Sequence, residues 1–374
     1  MNIVPVATPA QLDAFIRLPF RLYADDSNFV PPLVSSEKKM MDPKRNSFYE
    51  HSEAAHFLAE KDGRIAGRIS AILNRAHNEF HQDTTGFWGY FESENDDEVA
   101  RALFDRAGAW LKERGMTKML GPANPSLNDP CGLLVGPEAA FKWSPFVLMT
   151  YNPGFYVKLV EGAGFTKAMD LLAYLLLQTE LVREKIDRVA ARVQDRSEVR
   201  IRYVDLSQME KELAVIREVY NDAWEKNWGF VPMTDAEMRF TADDMKAILL
   251  PEFAYIAEIA GKPVGFAFAL PDINHALKKC KGSLLPFGWW RLLKFNLRKI
   301  PTVRLVALGV KKAYRTRGIG TLFYQKFIEE GLKRGYTAGE LSWVLETNDL
   351  MNRPIRLMGA GDPYKIYRLY ERPL

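Results

Sequence analysis

The 374-residue sequence predicts a mixed α/β protein built from two tandem copies of one unit. Three observations carry this expectation. The length matches about two domains of ordinary size. The segments FLAEKDGRIAGRISAI (57–72) and YIAEIAGKPVGFAFAL (255–270) align without a gap at an offset of 198. The elements that follow them recur in the same order, which a chance match between two hairpins would not produce.

Each of the two segments is an apolar run, a turn at Gly63 or Gly261, and a second run containing Gly67 or Gly265, which is the pattern of a β-hairpin. In the first half, GFWGYFE (86–92) reads as a strand and DDEVARALFDRAGAWLKERG (96–115) as a helix. KMLGPA then reads as a strand, NPGFYVKLVEGAGF as a short helix and LLAYLLLQ (171–178) as a strand. In the second half, strand VRLVALGV (303–310) precedes helix GIGTLFYQKFIEEGLKRG (318–335), strand ELSWVLE, helix NDLMNRPIRLMG and strand YKIYRLYER. The charged run ELVREKIDRVAARVQDR (180–196) reads as a helix and holds the boundary, giving domains 1–185 and 186–374. The second copy is about 20 residues longer than the first, and the excess lies within an insertion at 273–301.

With 47% hydrophobic and 26% charged residues the chain can bury a large core, which excludes disordered and collagen-like readings. Two cysteines, Cys131 and Cys280, exclude a disulfide framework and a multi-cysteine metal site. They point to a reducing, cytoplasmic compartment. The amino terminus lacks the basic and apolar regions of a signal peptide, and no run of about 18 apolar residues suggests a membrane span. His77 and His81 in HNEFH lack the acidic position and third ligand of a zinc helix, so no metal is expected. Charge is unevenly placed. Between Ile273 and Ile328 there are thirteen Lys or Arg and no Asp or Glu, so of 51 basic residues 38 remain to face 47 acidic ones elsewhere. A basic segment on an otherwise acidic chain faces phosphate, nucleic acid or anionic lipid. No nucleic-acid-binding module accompanies it.

The most specific chemistry is strand VRLVALGV, connector KKAY and the turn RTRGIG entering a helix. Gly318 and Gly320 allow close backbone approach, and the first helical turn offers amides and a positive dipole end to an anion. Lys311, Lys312, Arg315 and Arg317 add charge there, a set suited to pyrophosphate. The turn is neither a Walker loop nor a dinucleotide fingerprint.

This strand, R-x-x-G-x-G turn and helix, after a hairpin and before a strand ending near an Asn-led helix, resembles the acyl-CoA-binding motif of the GCN5-related N-acetyltransferase (GNAT) superfamily. Both halves share the resemblance. It implies two GNAT-like domains in tandem, each a twisted, mostly antiparallel sheet with flanking helices, and acyl-CoA as co-substrate. It also implies that Arg315, Arg317, Gly318, Ile319, Gly320 and Thr321 cradle the pyrophosphate while Leu308 and Val310 pair with the pantetheine arm. The first copy departs from the pattern: its turn reads SENDDEV, with no Gly pair, no Arg, and Glu94, Asp96, Asp97 and Glu98 in their place. Carboxylates there satisfy the helix dipole and repel pyrophosphate, so CoA is expected only in the second copy. The family's thiolate-protonating Tyr falls at about Ile355, which excludes that acid.

The insertion segment NHALKKCKGSLLPFGWWRLLKFNLRKI (274–300) mixes seven basic residues with Trp289, Trp290 and several Leu and Phe. Basic, Trp-bearing and amphipathic segments lie in a membrane interface or cover a greasy substrate; packing on the core is the alternative. RLPFRLYADDSNFVPPL (17–33), YNDAWEKNWGFVP (220–232) and ELSWVLETNDLMNRPIRLMG are similar to the bacterial ceramide synthases, a GNAT-type group that joins a fatty acyl-CoA to the amine of a sphingoid base. That likeness implies an N-acyltransferase of sphingolipid biosynthesis, with a lipid amine as acceptor and peripheral contact with the inner face of an anionic membrane. A small-amine N-acetyltransferase and a non-catalytic acyl-CoA-binding protein are the alternatives.

Direct attack of an amine on a thioester needs a base to take its proton. Glu346, at the end of the strand after the turn, is the candidate, against an ordinary strand-end carboxylate. Asn348 caps the next helix or holds a pantetheine carbonyl, with capping the expected role. Tyr364 and Tyr367 are candidate acids against packed strand tyrosines. Asn221, Trp224, Asn227 and Trp228 stand where the family's first helices cover the acceptor, and Trp289 and Trp290 join them as substrate contacts.

Overall fold

The computed structural model describes residues 1–196, 198–284, 288 and 297–374. They form two compact units. The first holds Met1–Leu171, a stretch beginning at Ala276, and Lys365–Leu374; the second holds Leu172–His275 and a stretch ending at Tyr364.

In the first unit the strands are β1 (Asn2–Pro5), β2 (Ser52–Lys61), β3 (Arg64–Asn74), β4 (Thr85–Ser93), β5 (Lys118–Gly121) and β6 (Leu133–Gly136). They are joined by the carboxyl-terminal strand, Lys365–Pro373, which pairs antiparallel with both β5 and β6. All of the unit's mapped pairings are antiparallel except β4 with β5. Helices α1 (Pro9–Leu22), α2 (Val34–Met40), α3 (Arg75–His81), α4 (Asp97–Lys112) and α5 (Phe155–Gly162) flank the sheet. Helix α4 starts where the Asp96 carboxylate accepts the amides of Glu98 and Val99. It buries Val99, Leu103, Phe104, Ala107 and Leu111, a three-and-four spacing that puts one stripe on the sheet beside Trp88 and Phe91.

In the second unit the order is β7 (Thr166–Leu177), β12 (Ala338–Leu345), β11 (Thr302–Val310), β10 (Lys262–Pro271), β9 (Ala254–Ile259), β8 (Val199–Tyr203). Strand β7 has its residues through Leu171 in the first unit and the remainder in the second. Around this sheet stand α6 (Arg183–Arg196), α7 (Met209–Trp224) and α8 (Asp235–Lys246); α9 (Asn274–Cys280) follows β10, then come α10 (Ile319–Lys333) and α11 (Asp349–Ile355). Val219 and Trp224 of α7 pack with Phe266 and Ala307, whereas Ile319 and Phe323 of α10 pack with Ala267, Leu308 and Val310. The two helices thus cover opposite faces. The repeat is carried into geometry: Gly63 and Gly261 both have φ +74°, and the register slips at the same repeat position in both hairpins.

A single cut near residue 185 therefore describes the units incompletely. The final strand, β13 (Lys365–Pro373), belongs to the first unit, because its backbone groups find their partners on β5 and β6. The insertion is divided: residues 273–275 belong to the second unit, whereas the stretch from Ala276 belongs to the first, where Val34 donates its amide to the Gly282 carbonyl at 3.0 Å. Trp289 and Trp290 lie outside the described residues. Among the described residues no helix is long and apolar enough to cross a membrane.

Candidate active site

The second unit's parallel ladder is short. Strands β11 and β12 pair from Thr302 opposite Ala338 to Leu305 opposite Leu341. Past that pair β11 runs on to Val310 and β12 to Leu345, while β11 keeps β10 on its other edge through Val310 opposite Gly265. The register between β10 and β11 slips at the point of divergence: Phe268 faces Ala307 and Ala269 faces Leu305, which leaves Val306 as the extra residue of a β-bulge in β11, and bulges bend and twist a strand. The result is a fork whose β11 edge, from residue 306 onward, takes no ladder partner from β12, and among the described residues its main-chain donors and acceptors could serve an extended ligand. Leu308 and Val310 lie on that edge, with side chains turned to the α10 core.

At the open end β11 passes through a short 3₁₀ turn, Lys312–Arg317, into α10. Gly318 caps the helix at φ +75°, with no side-chain cap, so the first amides are left for an anion. A Cβ at Gly318 would stand 2.5 Å from Val193 Cγ2, so only glycine fits this position. A Cβ at Gly320 would meet Leu308 Cδ2 at an ordinary 3.8 Å. Thr321 donates its amide to the Gly318 carbonyl at 3.0 Å, closing the first turn.

Three of the four cations expected to serve phosphate have protein partners. Lys311 is paired with Glu218, Lys312 with Glu225, and the Arg315 guanidinium donates to the Ala223 carbonyl near the end of α7. The Lys312 amide donates to Asp222 Oδ1 at 2.7 Å. These contacts anchor the turn to α7. Arg317 is exposed and lies over the Tyr314 ring at 5.1 Å, which makes it the turn's available cation among the described contacts. The α7 carboxylates were readable as a signal: Glu218, Asp222 and Glu225 follow a four-then-three spacing that puts them on one side of the helix end.

Glu346 lies one residue past β12, half-buried. Its turn is held by Asn352, a buried α11 residue missed from sequence, whose amide donates to the carbonyls of Leu345 at 3.0 Å and Glu346 at 3.2 Å. Tyr174 of β7 donates to the Asn352 oxygen at 3.0 Å, completing the clamp. Asn348 leads α11 without a side-chain cap bond, so the expected capping role is not observed; the backbone carbonyl does that work for Met351 and Asn352. Ile355 is fully buried in an apolar cluster. Below the fork, Arg304 donates to Ser342 Oγ at 2.9 Å, Ser342 donates to Glu340 at 2.6 Å, and Tyr364 bonds the other Glu340 oxygen. This buried polar group fixes the point where the strands part, and it occupies Tyr364.

Tyr367 lies on the carboxyl-terminal strand. It is fully buried on β13 opposite Leu134, in the first unit, whereas Glu346 is in the second, so no one unit brings the two together. Trp224 packs against Tyr220 at 4.6 Å and Phe266 at 5.5 Å, and over Gly309 of the fork edge. Asn221 Oδ1 accepts the Met233 amide at 3.3 Å, while Asn227 and Trp228 follow α7 in the next turn, both half-buried. These four residues shape the α7 side of the unit.

The first unit has the corresponding fork, and it is filled. Strands β4 and β5 pair only from Thr85 opposite Lys118 to Phe87 opposite Leu120. Beyond that, the Ala123 amide donates to the Trp88 carbonyl at 2.9 Å and Asn124 Oδ1 accepts the Tyr90 amide at 2.6 Å. A Cβ on Gly89 would stand 1.8 Å from the Ala123 carbonyl oxygen, so the chain passes tightly along β4. Asp96 caps α4 and pairs with Lys61 at 2.7 Å.

The model of the acetyltransferase (GNAT) family matches residues 213–354. A protein named bacterial ceramide synthase from Caulobacter vibrioides is 37% identical over 380 aligned residues, spanning 100% of this chain and 98% of its own. Protein YghO of Escherichia coli is 35% identical, spanning 97% of this chain and 93% of its own. A solved tandem GNAT protein from the clavulanic acid biosynthesis pathway superposes with TM-score 0.56 at 11% identity, covering 100% of this chain and 98% of its own.

Proposed function

The chain belongs to the GNAT acetyltransferase family and is an acyl-CoA-dependent N-acyltransferase, and on that premise we propose that it joins a long-chain acyl group to the amine of a sphingoid base. The observation that carries the site assignment is the β11–β12 fork with the uncapped α10 start at its open end. The lipid acceptor is supported by full-length likeness to a protein named ceramide synthase. In this reading the Gly318–Gly320 turn and Arg317 hold the CoA pyrophosphate, and the β11 edge from residue 306 pairs with the pantetheine arm. Asn348 is left to bind a pantetheine carbonyl. The first unit binds no CoA, since its fork is filled by Ala123 and Asn124 and its helix start by Asp96.

Glu346 takes a proton from the acceptor amine as the nitrogen bonds the thioester carbonyl carbon. The C–S bond then breaks, and the departing thiolate takes a proton from solvent while Glu346 gives up the one it accepted, which frees CoA. The full chain, given palmitoyl-CoA and sphinganine, is expected to yield the N-acylated base and one free CoA per amide, read by mass spectrometry and thiol release. Comparable turnover of acetyl-CoA with a soluble amine, without lipid product, would overturn the reading.

The basic insertion brings the enzyme to a cytoplasmic membrane face. Lys278, Lys279, Lys281 and Lys299 with the neighbouring arginines each add attraction of about 1 kcal/mol near an anionic surface, falling with salt. Sedimentation should detect binding to anionic liposomes that salt weakens. Replacing Trp289 and Trp290 by Ser is expected to weaken liposome binding and long-chain transfer together while sparing CoA affinity. Normal acylation and vesicle binding in that double variant would remove the insertion from lipid delivery.

A further inference from the structure

The α10 face of the second unit holds an apolar cavity that no step above uses. Leu305 and Leu341, the last residues paired before the fork, form one wall, and Tyr324, Phe327, Ile328 and Leu332 of α10 form another. Leu176 of β7 and Met358 close the far side. From Tyr324 to Leu332 the cavity follows the helix for about 12 Å, at about 1.5 Å rise per residue.

Two glycines keep the space empty without any backbone need. At Gly331, in α10, a Cβ would meet nothing nearer than Tyr336 Cβ at 3.9 Å; at Gly339, in β12, nothing nearer than Val303 Cγ1 at 3.8 Å. Neither has a positive φ. Glycine inside a helix or strand costs stability relative to alanine. Here that cost maintains a void lined by side chains that could have been packed.

We infer that this cavity receives the hydrocarbon chain of the acyl-CoA. The inference rests on the long-chain reading above and adds where the chain goes. The phosphate turn begins α10 at Gly318, the fork edge follows, and the cavity lies against the residues where the fork closes. A thioester at the fork thus has its pantetheine toward the open end and its chain toward the α10 face. The opposite, α7 face, with Trp224 over Gly309, is left to the amine.

Calorimetry on the full chain with free CoA, octanoyl-CoA and palmitoyl-CoA, below micelle formation, tests this. Burying methylenes gains up to about fourfold each, so the wild type should bind palmitoyl-CoA at least about tenfold more tightly than free CoA. Gly331→Leu and Leu332→Trp fill the cavity from two positions. Each should keep free-CoA affinity, which reports an intact fold and phosphate turn, and lose the palmitoyl gain. If either variant binds free CoA normally and retains the full gain, the chain lies elsewhere. A wild type with no dependence on chain length would instead overturn the long-chain reading itself, leaving the phosphate turn untouched.

Discussion

Replacing Gly320 by Asp is expected to abolish CoA binding while the protein stays folded. The helix start carries no side-chain cap, and a Cβ at this position meets only Leu308 Cδ2 at 3.8 Å, so space is not the obstacle. A carboxylate in the first helical turn also suits the dipole, so it strengthens the helix while repelling pyrophosphate. Losing two charge-assisted hydrogen bonds at about 1.5 kcal/mol or more each predicts a loss of at least about a hundredfold. Gly320→Ala separates bulk from charge and should bind within about threefold of wild type by the same arithmetic. Gly318→Asp should also fail to bind, but its Cβ would strike Val193 and its φ is +75°, so a folding defect will accompany the loss. Asp97→Asn, at the first unit's helix start, should leave CoA affinity unchanged. Calorimetry reads all four, and undiminished affinity in Gly320→Asp would sink the assignment of the turn.

The second large effect is expected from Glu346→Gln. Loss of a general base costs on the order of a hundredfold or more in turnover. Acyl-CoA affinity should hold, because the Asn352 amide grips the carbonyls of residues 345 and 346 and not the carboxylate. The result sought is a fall in the rate of amide formation with little change in palmitoyl-CoA binding and unchanged thermal unfolding. Asn352→Leu provides the contrast. It removes the clamp and leaves the Tyr174 hydroxyl without that acceptor, so turnover and stability should fall together. If Glu346→Gln turns over like wild type near pH 7, the carboxylate is structural and the proton goes elsewhere.

Much of the molecule is legible in the sequence itself. Both hairpins, helices α4, α6 and α10, and strands β4, β7, β11 and β12 stand where periodicity and turn residues placed them, because those signals are local. The offset of 198 recovered the tandem organisation for the same reason: each copy repeats its own turn chemistry. The glycine-led start of α10 was likewise written in the residues of one short segment.

What the sequence determined by itself was therefore the set of elements, their repetition and the position of the phosphate turn. Tertiary structure decided the partners. A strand's pattern says that it will pair but not with which edge, so only the fold shows β13 completing the first unit's sheet on β5 and β6. Side-chain charges find partners that lie far away in the sequence, so Lys311, Lys312 and Arg315, whose charge was expected to serve a phosphate, have partners on α7 and the residue after it. The same holds for the two forks. Similar strands diverge in both units, yet Ala123 and Asn124 fill one while no recorded bond among the described residues fills the other, because backbone groups bond to whatever segment the fold brings beside them.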